Sequence, residues 1–503
     1  MRRLLLATLL GILLGGVAGA GERTQPLLLM LRGRDSPALD RWLAHSHRRP
    51  LDPAAFGRRF GASPETVARA TRWLEARGLA VRRVYAGRTL IEFDGPPDAV
   101  AAAFQVRLGR AHGRWRSARP PVAPLDVDAL DVVGLEGAHP ATRLTVRPRA
   151  ISAGNRFYIA PADFRRIYGL DTPTVAPLDG TGQRISIPAI GQADAAGVAN
   201  FRNAFGLPPG TIESVVAGDD PGLGRSSFRT EATLDVTWAG AIAPAAGLEL
   251  VRGTDLFLIL AHEVNTDPAP VISISLTLCS SRPVVAHIAR AADAIFRQAA
   301  AQGQTVLIAS GDTGPFSCGR REVDALAASP HATSVGGTVV DPVLDADGNA
   351  VAYGTERVWN VGDASSGGGR SAFFARPSWQ PSGAGRGTPD VAAPADDYPL
   401  GLGGGVVCCV GGTSASAPAW AGVVALLNQA RGAPLGSLNR TLYALGRAQR
   451  RGGPAVFHDV VSGTSAVRLD GRRAGFHAHA GWDMATGWGS PDVPALLQAL
   501  VPQ

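Results

Sequence analysis

Apolar and polar positions follow two different rhythms along this chain, and the change falls near residue 157. Before it, Leu27 to Leu31 is a short apolar run expected as a strand. Ser63-Pro64 opens a helix, with Pro at a first position where its missing N–H does no harm. Val67, Ala70, Trp73 and Leu74 then share one face, and Gly78 ends the helix. Two further strands, Leu79 to Tyr85 and Thr89 to Phe93, meet at Ala86-Gly87-Arg88, and a helix follows from about Asp98 to Phe104. This order predicts a small α+β domain of ferredoxin-like type over residues 21–110.

Residues 111–156 are rich in Pro, Arg and Ala, and Arg119-Pro120-Pro121 and Arg147-Pro148-Arg149 read as exposed linker, where proteolysis is easiest. From Phe157 to the end, 157–503, short apolar runs recur: Ile185 to Ile187, Leu248 to Val251, Val271 to Ser275 and Thr305 to Ala309. Helical stretches such as Ala286 to Ala301 lie between them. Strand and helix in alternation predict an α/β domain, a parallel sheet flanked by helices, with active residues at the carboxyl ends of strands.

The N-terminus changes the setting. Arg2 and Arg3, the apolar run Leu4 to Leu14 and then Ala18-Gly19-Ala20 form a signal-peptide pattern, so residues 1–20 are expected to direct export and the product to be extracellular or periplasmic. No later stretch is apolar and long enough to predict a membrane span. The net charge of +7 rests entirely on Arg, since the chain has no Lys, and the Arg residues are scattered. Nucleic-acid binding is therefore not expected. Export permits disulfides. Cys279 and Cys318 each follow the end of an expected strand and could meet across neighbouring loops, whereas adjacent Cys408 and Cys409 fit disulfide geometry poorly.

Candidate chemistry begins at Gly411-Gly412-Thr413-Ser414-Ala415-Ser416, ahead of an apolar helical stretch from Ala419 to Ala430. Ser414 stands where helix N–H groups and the helix dipole favour a developing anion, although by itself a Ser there is more often an ordinary helix cap. A nucleophilic Ser needs a base, and no His has a suitable setting; His262-Glu263 lacks the second His of a metalloprotease motif. Glu231 and Asp235, four apart in the helical stretch Thr230 to Gly240, share one face. Two carboxyls held together raise one another's pKa and can trade a proton; the alternative is a solvated helix face. Asp312, in Ser310-Gly311-Asp312-Thr313-Gly314 just past a strand, could donate a hydrogen bond to an oxyanion if protonated, or simply form a turn. Asp459-Val460 and His479-Ala480-Gly481-Trp482-Asp483 offer carboxylates and carbonyls to a hard cation, or turn chemistry.

Taken in order, these motifs resemble the sedolisin, or serine-carboxyl peptidase, family, and its kumamolisin-like bacterial members in particular. Leu51 to Leu79, with Phe60-Gly61 and Trp73-Leu74, resembles a pro-kumamolisin activation domain. Val335-Gly336-Gly337-Thr338, Ser366 to Gly369 and Pro389-Asp390-Val391 resemble the family's framework motifs. The resemblance implies a subtilisin-like sheet preceded by an inhibitory prodomain. It implies Ser414 as nucleophile, Glu231 as base, Asp235 orienting Glu231, and Asp312 as the protonated oxyanion donor. It also implies one structural Ca2+, held by the carboxylates of Asp459 and Asp483 and the carbonyls of Val460, His479 and Gly481. Where some relatives extend the carboxylate network with Glu, Trp and a further acid, this chain has Ala189, Leu276 and Thr237, which bears on the pH optimum.

The expected protein is thus a secreted, self-processing zymogen of an acid-acting endopeptidase. It is read as a monomer that takes peptide substrates and is inhibited by its own prodomain. Cleavage is expected between Thr145 and Arg156. A tripeptidyl-peptidase of the same family and a catalytically dead binding module are the rivals; a lipase-like hydrolase would need a Gly-x-Ser-x-Gly elbow that Ser414 lacks.

Overall fold

The computed structural model describes residues 22–44, 49–137, 139–141, 145–149, 158–266, 269–381, 383–469 and 471–501; the expected signal peptide lies outside them. In the first domain, β1 (Leu27–Leu31), α1 (Pro64–Glu75), β2 (Ala80–Val84), β3 (Leu90–Asp94), α2 (Pro97–Ala103) and β4 (Ala129–Val133) follow one another. The sheet order is β2-β3-β1-β4, antiparallel throughout, which is the ferredoxin-like arrangement. Ser63 starts α1 by accepting the Thr66 N–H at 3.1 Å, the cap that its position predicted.

The boundary expected at residue 110 falls too early. β4 completes the first sheet from inside the stretch read as linker, and a hairpin of Leu108–Ala111 with Arg114–Ser117 precedes it. Its buried residues Ala129, Val132 and Val133 are too few, and too closely framed by Pro-rich chain, to announce a strand.

The second domain is built on an eight-stranded sheet. Its elements include β5 (Arg184–Ala189), β6 (Ile212–Val216), α3 (Ser226–Ile242), β7 (Gly247–Arg252), α4 (Leu256–Asn265), β8 (Val271–Ile274), α5 (Arg282–Ala301), β9 (Thr305–Ala309), β10 (Thr333–Leu344), β11 (Ala350–Val358), β12 (Val391–Pro394) and α6 (Thr413–Arg431). The order β6-β7-β5-β8-β9-β10 is parallel, β11 lies antiparallel against β10, and β12 also pairs with β10. β8, β9 and β12 are buried along their whole length and apolar but for Ser273 and Thr305, as central parallel strands are expected to be. α3 and α6 cross the core in contact: a Cβ added at Gly422 of α6 would lie 2.5 Å from the Ile242 Cβ of α3. Small residues at this crossing bring the two helices close enough for their side chains to share a site.

The two domains share a core. Leu28, Met30, Leu90 and Val133 of the first sheet pack with Phe257 and Leu260 of α4 and Ile288 and Ile295 of α5. Polar contacts frame this patch. Arg114 bonds Asp255 at 3.0 Å, and His287 of α5 lies 3.0 Å from Asp131 and 3.0 Å from Glu136. Burial alone would lower the His287 pKa, but the bonds and charges of Asp131 and Glu136 outweigh it and hold it at about 10.

Cys279 and Cys318 are disulfide-bonded, joining the neighbouring loops as their strand-end positions allowed. Cys408 and Cys409 are bonded to each other, contrary to expectation; the peptide bond between them is cis, with Cα atoms 2.9 Å apart. Among the described residues no helix is long and apolar enough to cross a membrane.

Candidate active site

α3 carries Glu231 and Asp235 on one face, and nothing about that face is solvated. Every residue from Glu231 to Ile242 is buried, and the two carboxyls are each 2% exposed. Burial pushes the Glu231 pKa well above its ordinary 4.5, and the Asp235 and Asp312 charges add to this, while the Ser414 hydroxyl opposes it. Glu231 has no hydrogen bond of full geometry, so Ser414 faces it as a near neighbour rather than a fixed partner. Burial likewise raises Asp235, against a 2.8 Å hydrogen bond from the Ser275 hydroxyl. Ser275 stands just past β8, and Asp312 just past the neighbouring β9, so both loops open at the carboxyl edge of the sheet.

Asp312 is clamped from the start of α6. Its Oδ1 accepts the Thr413 N–H at 2.8 Å and the Thr413 hydroxyl at 2.7 Å. The same hydroxyl accepts the Gly311 N–H at 3.1 Å. Gly412 makes this approach possible: its φ is +146°, and a Cβ there would lie 2.7 Å from Asp312 Oδ2. Because α6 begins after Gly412 with no side-chain cap, the Ser414 hydroxyl is not spent on capping. Glu231, Asp312 and Ser414 therefore converge from α3, the β9 loop and the α6 N-terminus, while Ser275 fixes Asp235 behind Glu231. The cleft that contains Ser414, Asp312 and Ser275 has no His among its described lining residues.

One edge of the cleft is already occupied by this chain, and a second pairing lies beside it. His139–Ala141 pairs antiparallel with Thr277–Cys279, Ala141 opposite Thr277. Thr145–Arg149 pairs antiparallel with Gly405–Gly411, Thr145 opposite Gly411, three residues before Ser414. The connection between the domains thus lines the cleft at Ala141 and pairs, from Thr145 on, with the strand that leads into Ser414.

The chain belongs to a known group. The family described as pro-kumamolisin activation domain matches residues 31–121, and the subtilase family matches residues 244–446. Kumamolisin from Bacillus sp. (strain MN-32) is 35% identical over 92% of this chain and 87% of its own length. This chain is a member of the sedolisin family. A solved Pseudomonas sedolisin, a serine-carboxyl proteinase complexed with pseudo-iodotyrostatin, superposes with a TM-score of 0.59 at 28% identity, over 68% of this chain and 98% of that one. Tripeptidyl-peptidase 1 from dog is 32% identical over 74% of this chain and 70% of its own length. Like kumamolisin and sedolisin, this sedolisin-family member is a serine-carboxyl peptidase with an activation prodomain.

The expected calcium ligands come from two segments that the fold brings together. The Gly481 N–H donates to Asp459 at 2.7 Å, and the His479 N–H donates to Asp483 at 2.9 Å. Among the described residues, the carbonyls of Val460, His479 and Gly481 accept no backbone hydrogen bond. Two carboxylates with three carbonyls that accept no backbone bond suit a hard cation, with Asp483 Oδ1 also accepting the Ala485 and Thr486 N–H groups, although no cluster of three or more His, Cys, Asp or Glu is found among the described residues. Sequence reasoning missed Ser275 and Thr413, each a small hydroxyl beside a named motif. It also missed both strands of the domain connection.

Proposed function

We propose that this peptidase is a secreted, acid-acting endopeptidase, made as a zymogen that cuts itself, with Ser414 as nucleophile. The observation that carries the reading is the convergence of Glu231 on Ser414 and Asp312, beside a cleft with no histidine among its described lining residues. Glu231 takes the Ser414 proton as Ser414 attacks the peptide carbonyl, and later returns it to the leaving amine. Asp235, anchored by Ser275, shares that proton and keeps Glu231 oriented. Asp312 accepts both Thr413 bonds on Oδ1, so the proton it donates to the oxyanion sits on Oδ2. A neutral imidazole base fails in acid, whereas a carboxylate pair with one proton does not. Casein digestion by the acid-incubated protein is expected to peak near about pH 4, where carboxylates titrate; a peak above neutrality overturns the assignment.

Strands on both sides of Ser414 favour cleavage within a chain over trimming at its end. They also move the expected self-cleavage out of the Thr145 to Arg156 window and into the short connection between Ala141 and Thr145. Acid incubation of the full chain should yield a product whose N-terminus, read by sequencing, falls between those residues; a start beyond Arg149 rules this register out. Acid also serves release. His287 keeps its proton up to a pH of about 10, so it does not change in acid. The change comes from Asp255, which burial holds above the ordinary carboxylate range; once it is protonated in acid, its charge opposite Arg114, 3.0 Å away across the domain contact, is gone.

Asp459, Asp483 and the three carbonyls would hold one Ca2+, whose part is to tie the C-terminal loops together rather than to react. EDTA is expected to lower the Tm of the processed enzyme by roughly 5 °C, and to do nothing to Asp483→Asn. An unchanged wild-type Tm removes calcium from the picture.

A further inference from the structure

A narrow pocket opens beside Ser414 between two walls that the Cys279–Cys318 disulfide ties together. One wall is Ser275 with the strand Thr277–Cys279; the other is the loop after β9, with Phe316 and Cys318. The bonded half-cystines are 39 residues apart in sequence, with Cα atoms 5.4 Å apart. Cys318 has φ +52°, in the left-handed region that a side chain other than Gly or Asn rarely adopts, so the loop is held in a conformation it would not choose alone.

The propeptide shows which part of a substrate meets this pocket. Ala141 lines it and pairs with Thr277, while Thr145 pairs with Gly411, three residues before Ser414. The pocket therefore serves the N-terminal side of the bond to be cut. Among its described lining residues Asp312 is the one ionisable side chain, and Thr413 engages it.

Resting on the peptidase reading above, we propose that the Cys279–Cys318 disulfide fixes the width of the pocket for the side chain just N-terminal to the cut bond, and with Phe316 limits it to uncharged side chains of moderate size. Tied walls cannot spread to admit a larger group. A pocket of fixed width distinguishes a change of one methylene by about 10- to 200-fold.

The test uses the full-length chain, activated in acid, and peptides that differ only at that residue: Leu, Trp or Asp. Wild type should prefer Leu to Trp by about tenfold or more in kcat/KM and discriminate against Asp. In the C279A/C318A double variant the Leu-to-Trp ratio should fall toward one, through KM for the Trp peptide. A double variant with a lower Tm and an unchanged ratio overturns the proposal, since the bond would then be a structural tie alone. Should the double variant not fold, Phe316→Ala and wild type reduced with a phosphine are read on the same ratio, and no shift in either overturns it too. If wild type cleaves none of the peptides nor casein, the peptidase reading itself fails, and this proposal with it.

Discussion

Ser414→Ala is expected to leave the chain at full length in acid and to reduce casein digestion by about four to six orders of magnitude, with a Tm close to wild type. The argument turns on what the serine does not do. If it were a helix cap, its loss would cost roughly 1 kcal/mol of stability and no activity. But α6 begins after Gly412 without a side-chain cap, and the Thr413 hydroxyl, not that of Ser414, is tied to Asp312 and Gly311. Removing one oxygen at the end of a helix that is buried from Thr413 to Asn428 leaves the packing intact. Gel analysis of the acid-incubated variant and its thermal melt decide together. A variant that shortens like wild type, with no other protease present, refutes self-processing by Ser414.

Glu231→Gln should lose activity to a similar degree while gaining stability at neutral pH. Gln keeps the size and polarity of the side chain but cannot accept the Ser414 proton. The gain follows from burial. In the folded chain burial raises the pKa values of Glu231 and Asp235 well above the ordinary 4.5 and 3.8, and the Asp235 charge adds to the Glu231 shift. Between those ordinary values and the raised ones, the folded state holds protons that the unfolded chain releases. Stability therefore falls as pH rises through that window. Gln has no charge to bury, so the variant should match wild type near pH 4 and exceed it increasingly toward neutrality in denaturant melts. Equal stability at pH 7 contradicts the buried pair. The same sign means that the native enzyme is most at ease in acid, where it is proposed to work.

Much of this was legible because the chemistry carries strong local signals, Asp312 and Ser414 at element ends and Glu231 and Asp235 four apart within one helix. Glu231 and Asp235 stand out by spacing, Asp312 by its place between glycines after an apolar strand, and Ser414 by a small-residue turn before a helix. Periodicity found β1, α1, β3 and the central strands of the larger sheet. It could not find β4 or the strands at His139–Ala141 and Thr145–Arg149, because these pair only with partners far along the chain and carry little apolar pattern of their own. Pro and Arg residues that read as exposed linker are compatible with an edge strand held by backbone bonds. The contact of Ser275 with Asp235 was hidden for the same reason: it links residues 40 apart in sequence.

The shared core between the domains has a consequence beyond inhibition. While the connection is whole, Leu28, Met30 and Val133 meet α4 and α5 within one molecule, at a high effective concentration that dilution cannot change. A single cut turns the same contact into an association of two molecules. From then on its occupancy depends on how many prodomains surround the enzyme. In a confined volume the cleaved prodomain would still hold its enzyme; in an open one it would drift away, so that the size of the compartment, as well as its acidity, sets when the peptidase is free.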